Sequence, residues 1–167
     1  SDPNFMLAPA MQDENAEVRR HAVRLTEGFF IDVSIMAQVL LEKVPDDDSL
    51  QVRYQLALTL GSLPAEKGVR NALAKLAKKD VANPYMRTAI LSSLSEGAGE
   101  MLLQLRNDAE FRSLPEGREW LRALAAQIGK QQSPEEIAAL LQAVTSLEKD
   151  DKLAFQTILQ AVAARPG

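Results

Sequence analysis

Asn83-Pro84-Tyr85-Met86-Arg87 decides how this chain is read, because two earlier stretches repeat its pattern. Arg19, Arg53 and Arg87 stand one period of 34 residues apart. Each follows an apolar residue (Val18, Val52, Met86), and each lies four positions after a residue of helix-capping type (Asn15, Ser49, Asn83). A fixed period of this size is the mark of one supersecondary unit copied along an axis, and 34 residues suits two short helices with their turns. Residues 13–46, 47–80 and 81–108 are therefore read as regular copies, and 109–167 as irregular helices that cap the stack. Together they make a single helical domain, 13–167, behind an N-terminal arm, 1–12, that Pro3 and Pro9 interrupt.

Within the first copy, Asn15 offers a side-chain oxygen to free amides and Glu17 sits favourably against the helix dipole. Val18, Ala22 and Leu25 recur at helical spacing as its inward stripe. Gly28 breaks that helix, and residues 31–44 form its partner with Ile35, Met36, Val39 and Leu40 inward; Pro45 and Asp46-Asp47-Asp48 close it. The second copy buries Val52, Leu56 and Leu60, turns at Gly61 and Pro64, and buries Val69, Leu73, Leu76 and Ala77. The third starts at Asn83 with Pro84 in the first helical position, where its missing amide hydrogen costs nothing. It buries Met86, Ile90 and Leu94, turns at Gly97 and Gly99, and continues with Met101, Leu102 and Leu105.

Beyond Asp108 the register is lost while helical patterning persists. Phe111, Leu114, Trp120, Leu121, Leu124 and Ile128 lead to a helix from about 116 to 128, closed by Gly129 as a left-handed cap. Ser133-Pro134-Glu135-Glu136 is a capping box that starts another helix, with Ile137, Leu140, Leu141 and Val144 inward, and a last helix covers about 151–164.

Composition narrows the function. A net charge of -4 opposes the broad positive field that phosphate-backbone binding needs. The absence of cysteine excludes disulfides, thiolate metal sites, cysteine nucleophiles and thioether-linked haem in this segment. No apolar run is long enough to span a bilayer, and Ser1-Asp2-Pro3-Asn4 has neither the basic nor the apolar region of a signal peptide.

The stretch Val52-Arg53-Tyr54-Gln55-Leu56-Ala57-Leu58-Thr59-Leu60-Gly61 resembles the first helix of a HEAT repeat. Over residues 46–105, including Asn83-Pro84-Tyr85-Met86-Arg87-Thr88-Ala89-Ile90-Leu91-Ser92-Ser93-Leu94, the chain is similar to the HEAT-repeat segment of large planctomycete and verrucomicrobial proteins described as membrane-bound dehydrogenases or haem-binding proteins. The resemblance implies an all-α, right-handed superhelix of antiparallel helix pairs. In that family a β-propeller precedes the repeats and a cytochrome c domain with a Cys-x-x-Cys-His motif follows them. Neither set of motif residues occurs here, so the resemblance supplies no catalytic, cofactor or metal position. It implies a context, a spacer or docking domain in an exported protein of the periplasm or cell envelope.

The candidate sites follow from the same residues. Arg19, Arg53 and Arg87 form either a ligand-binding ladder or a structural row bonded to carboxylates or helix-end carbonyls of neighbouring copies, with Asp13, Asp47 and Asp80 as acceptors; the structural row is the reading adopted. Asp46-Asp47-Asp48 lacks the glycine and distal glutamate of a calcium loop, and His21 has no second histidine or cysteine to complete a zinc site. Trp120, Phe29, Phe30 and Tyr85 are read as packing residues, and Glu116 with Glu119 as surface carboxylates without a pocket. Lys67, Arg70, Lys75, Lys78 and Lys79 give the second helix of copy two a basic face, the best candidate for an acidic partner. The expectation is a non-catalytic scaffold or interaction module without cofactor, its partner another protein or domain. A HEAT-like DNA glycosylase and a helical-repeat lyase for a bilin-type prosthetic group are the alternatives.

Overall fold

Asn15 starts the first regular helix as expected: its Oδ1 accepts the Glu17 N–H at 2.9 Å in the computed structural model, which describes residues 3–28, 35–94, 96–131, 133–135 and 137–138. The described residues are all-helical, with no strand among them. They fall into two compact units, Ser1–Ser93 and Leu94–Gly167.

The first unit begins with α1 (Pro3–Ala10) and α2 (Ala16–Leu25). Next comes α3 (Ile35–Gln38), which widens into a π-helical turn (Val39–Lys43) and tightens into a 3-10 turn (Val44–Asp46) around buried Pro45. Then follow α4 (Leu50–Leu60), α5 (Lys67–Lys79) and α6 (Pro84–Ser93). α4 packs between α2 and α6, making one row; α1, the continuation of α3, and α5 make a second row behind it. The core between the rows holds Val23, Met36, Leu40, Leu56, Leu60, Leu73, Leu76, Met86 and Ile90. Fully burying an aliphatic side chain of this size contributes about 1.5–3 kcal/mol, so the core is the main favourable term against chain entropy.

The inward stripe of α2 is rotated from the expected one. Ala22 and Val23 are buried, but Val18 and Leu25 are exposed at 40% and 58%. The equivalents of these two in α4, Val52 and Thr59, are fully buried. The difference lies in the neighbours, since α4 has a row partner on each side and α2 has α4 on one side only among the described residues. Ile35 and the 29–34 segment with Phe29 and Phe30 lie outside the described side chains, whereas Met36, Val39 and Leu40 are buried as expected.

Helix starts differ in their chemistry. Asn83 Oδ1 accepts the N–H groups of Tyr85 and Met86, both at 3.0 Å, with Pro84 first in α6. Ser49 takes the capping backbone conformation, but its hydroxyl donates to Gln51 Oε1, and Asp47 instead accepts the Ser49 N–H. At the other end of α4, Gly61 is required by a close approach: a Cβ there would lie 2.7 Å from Ser93 Oγ and 2.9 Å from Ser93 Cα. That serine hydroxyl donates to the Ala57 carbonyl at 2.7 Å, stitching α6 to α4.

The second unit is described from α7 (Ala98–Arg106) through α8 (Ala109–Ser113) and α9 (Pro115–Gln131). Gly97, at φ 82, supplies the left-handed residue before α7, and Gly99 belongs to the helix rather than to the turn. Asp108 caps α8 through a bond from the Phe111 N–H at 3.0 Å. α9 packs on α7 and α8 through Trp120, Leu121, Leu124, Ala125 and Ile128. Gly129 does not close this helix, which runs on to Gln131. Ile137, expected inside, is exposed, and so is Leu114, the residue before α9. Ser133 Oγ donates to Glu135 Oε2 at 2.7 Å, and the Ile137 N–H to the Ser133 carbonyl at 2.9 Å. Leu140, Leu141, Val144 and the expected helix at 151–164 lie outside the described residues.

Candidate functional site

An arginine in the first turn of a helix has a short list of nearby acceptors: the carbonyls left open by the preceding turn and any carboxylate beside it. Arg19 uses both kinds. Its Nε and Nη2 donate to Asp47 Oδ2 and Oδ1 at 2.7 and 2.9 Å, while Nη1 reaches the carbonyls of Asp13 and Glu14 at 2.8 and 3.0 Å. Arg53 repeats the arrangement, donating to Asp80 Oδ2 and Oδ1 at 2.7 and 2.6 Å and to the Asp47 carbonyl at 2.6 Å. The carboxylate in each fork lies 28 or 27 residues ahead, so each arginine holds the turn that leads into the next first-row helix. Arg87 occupies the same place in α6, half-buried, with its N–H bonded to the Asn83 carbonyl at 3.1 Å.

The forks set the local electrostatics. The bond to Asp47 raises the Arg19 guanidinium above its ordinary range, and the bond to Asp80 does the same for Arg53. Burial pushes the Asp47 carboxyl up, but the bonds from Arg19 and from the Ser49 N–H outweigh it and leave it below the usual carboxylate value.

Three further arginines share the device, and periodicity alone had not singled them out. Arg70, Arg112 and Arg118 also lie four residues after the residue that precedes their helix, shown by N–H bonds to the carbonyls of Glu66, Asp108 and Leu114. Their guanidinium groups fold back on the carbonyls of Ala65, Arg106 and Ser113. The signal is present in Asp108-x-x-x-Arg112, which falls outside the 34-residue register. The recurrent arginine is therefore a helix-start latch in general, and at Arg19 and Arg53 it is also a link to the turn before the next first-row helix.

The acidic run divides its tasks. Asp46 Oδ2 accepts Lys75 Nζ at 2.6 Å, Asp47 is held by Arg19, and Asp48 is exposed. An open groove of about 320 Å³ lies here, with Asp13, Asp46, Asp47, Asp48, Arg19 and Lys43 among its lining. Among the described residues no three His, Cys, Asp or Glu groups converge to hold a metal ion.

The basic face of α5 is exposed at Lys67, Lys75, Lys78 and Lys79 and half-buried at Arg70. Much of it is tied to its own unit. Lys75 also donates to the Glu42 carbonyl at 3.2 Å, Lys79 to the Asp46 carbonyl at 2.6 Å, and Arg70 to the Ala65 carbonyl. The two lysine bonds satisfy the end of the preceding second-row helix, where helix-end carbonyls favour cations, and the Arg70 bond satisfies the turn before α5 itself. His21 is exposed beside Arg20, Trp120 is fully buried, and Glu116 and Glu119 sit one turn apart on α9. Tyr85, expected to pack, is 76% exposed: it follows Pro84 in the first turn of α6, where the row turns its side chain to solvent.

Among the described residues no helix is long and apolar enough to cross a membrane. No family model, curated protein or solved structure matches the chain.

Proposed function

We propose that this chain is a non-catalytic helical-repeat interaction module, a right-handed superhelix of HEAT-type helix pairs in which α2, α4 and α6 are the first helices of successive layers. The observation that supports it is the pair of equivalent forks, Arg19 to Asp47 and Arg53 to Asp80, each joining a first-row helix to the turn that leads into the next. Guanidinium forks matched to carboxylates impose geometry as well as attraction, which suits a scaffold whose layers hold a fixed spacing. Stacked pairs offer extended surfaces rather than converging polar groups of the kind catalysis uses.

In this reading the second-row face bearing Lys67, Arg70, Lys75, Lys78 and Lys79 is offered to an acidic protein segment, although Lys75 and Lys79 also bond inward. The HEAT-repeat resemblance of residues 46–105 suits such a module as a spacer or docking domain in an exported redox protein of the bacterial envelope. Titration of a fluorescent polyglutamate peptide tests the face. Binding that weakens with salt and falls at least tenfold in Lys67→Glu/Lys78→Glu supports the proposal. Excision of alkylated purines from DNA, or uptake of a bilin chromophore by the purified chain, overturns it.

A further inference from the structure

Val18 and Leu25 mark an unfinished edge of the first unit. Val52 and Thr59, one period later, are fully buried, whereas Val18 and Leu25 are exposed at 40% and 58%. The α4 flank is closed from the α2 side, where Glu27 Oε1 accepts Gln55 Nε2 at 3.1 Å and Thr59 Oγ1 at 2.8 Å. No helix of the α2–α4–α6 row precedes α2 among the described residues.

Asp13 repeats the message in charge. It is the counterpart of Asp47 by one period, and both use Oδ1 to accept the N–H two residues on, at 2.8 Å in each case. Asp47 is also gripped by the arginine of the preceding layer; Asp13 is exposed, and among the described residues no arginine forks onto it. α1 completes the picture. It packs on α2 and α3, as the continuation of α3 packs on α4 and α5, and so stands where the second-row helix of an earlier layer belongs. Among the described residues that layer shows a second-row helix and no first-row one.

We propose that this edge docks an amphipathic helix from a partner segment, one carrying an arginine four residues after its N-cap with aliphatic residues along the adjoining flank. Its guanidinium forks onto Asp13, and its aliphatic flank covers Val18 and Leu25. The carboxylate is already oriented by its bond to the Asn15 N–H, so little ordering remains to be done on this side. Exposed aliphatic groups beside an oriented carboxylate favour a helix with both features over a purely acidic or purely apolar one. The proposal rests on the stacked-layer reading above.

The chain supplies a suitable probe, because α4 has the required pattern in Arg53 with Leu50, Tyr54 and Leu58. A labelled peptide of residues 47–62 is titrated against the full chain by fluorescence anisotropy. The expected result is saturable binding, weakened at least tenfold by Asp13→Asn and by Val18→Glu in the chain, and equally by Arg53→Gln in the peptide. Combining Asp13→Asn with the Arg53→Gln peptide adds no further loss. Both chain variants change exposed positions, and unaltered melting curves show that they remain folded. Absence of binding, or binding indifferent to Asp13, overturns the proposal. So does a homodimer that Val18→Glu dissociates, which assigns the edge to a second copy. Coupling between Arg53 and Asp80, measured in the same chain, separates the two readings: intact coupling without peptide docking defeats this proposal alone.

Discussion

Removing Asp80 tests whether the layers are tied as the geometry indicates. Arg53 is 7% exposed and the side chain of Asp80 9%, so Asp80→Ala leaves a guanidinium in a nearly dry site without its two shortest carboxylate bonds. Breaking a buried pair from one side costs about 3–5 kcal/mol. The lower end applies here, because Nη1 keeps the Asp47 carbonyl and water reaches the rim. A loss of about 3 kcal/mol in a chain of this length lowers Tm by roughly 6–12 °C. Arg53→Met combined with Asp80→Ala, each also made singly, removes both charges together and leaves no unpaired buried charge behind. The double variant is therefore expected to lie well above the sum of the single losses, with a coupling of about 2 kcal/mol. Urea unfolding of the four proteins, followed by circular dichroism, gives the cycle. A coupling below about 0.5 kcal/mol would falsify the argument that this fork joins successive first-row helices. Glu17→Gln, which breaks the exposed Arg20–Glu17 pair, serves as the control and should leave the curve unchanged.

Acid titration gives a second check. Asp47 is held below its ordinary value in the fold, so its contribution is complete above the unfolded carboxylate value of about 3.9 and disappears as pH falls through the folded one. Asp47→Asn should flatten the acid limb of the stability curve below about pH 4, and an unchanged limb refutes the assignment. Glycine replacements are expected to split in sign. Gly129→Ala, in a helix with nothing within 4 Å of the added Cβ, should stabilise by about 0.5–1 kcal/mol, whereas a left-handed cap there would make it destabilising. Gly61→Ala, which forces its Cβ onto Ser93, should cost about 1–3 kcal/mol by thermal melting. Asn83→Ala removes the acceptor for two N–H groups and should cost about 1 kcal/mol, largely restored by Asn83→Asp.

Helix starts were legible in the residues because they depend on local chemistry. Asn15 and Asn83 each place an oxygen within reach of an amide two or three residues on, and no distant contact is needed for that; the Asp108 cap and α8, where a connection was expected, went unread. For Arg19 and Arg53 the acceptors Asp47 and Asp80 were among those the sequence offered, since both lie in the turns before the next capping residue. Which carboxylate each arginine would take was not legible: Arg19 passes over the side chain of Asp13, using only its carbonyl, and reaches Asp47. Exposure was equally undecided. Val18 and Val52 occupy the same place in their copies and differ by 40% in exposure, and Gly129, which reads as a stop, continues a helix. A residue's own helix settles the direction it faces; whether anything waits there depends on chain far away in sequence, and only packing supplies that neighbour.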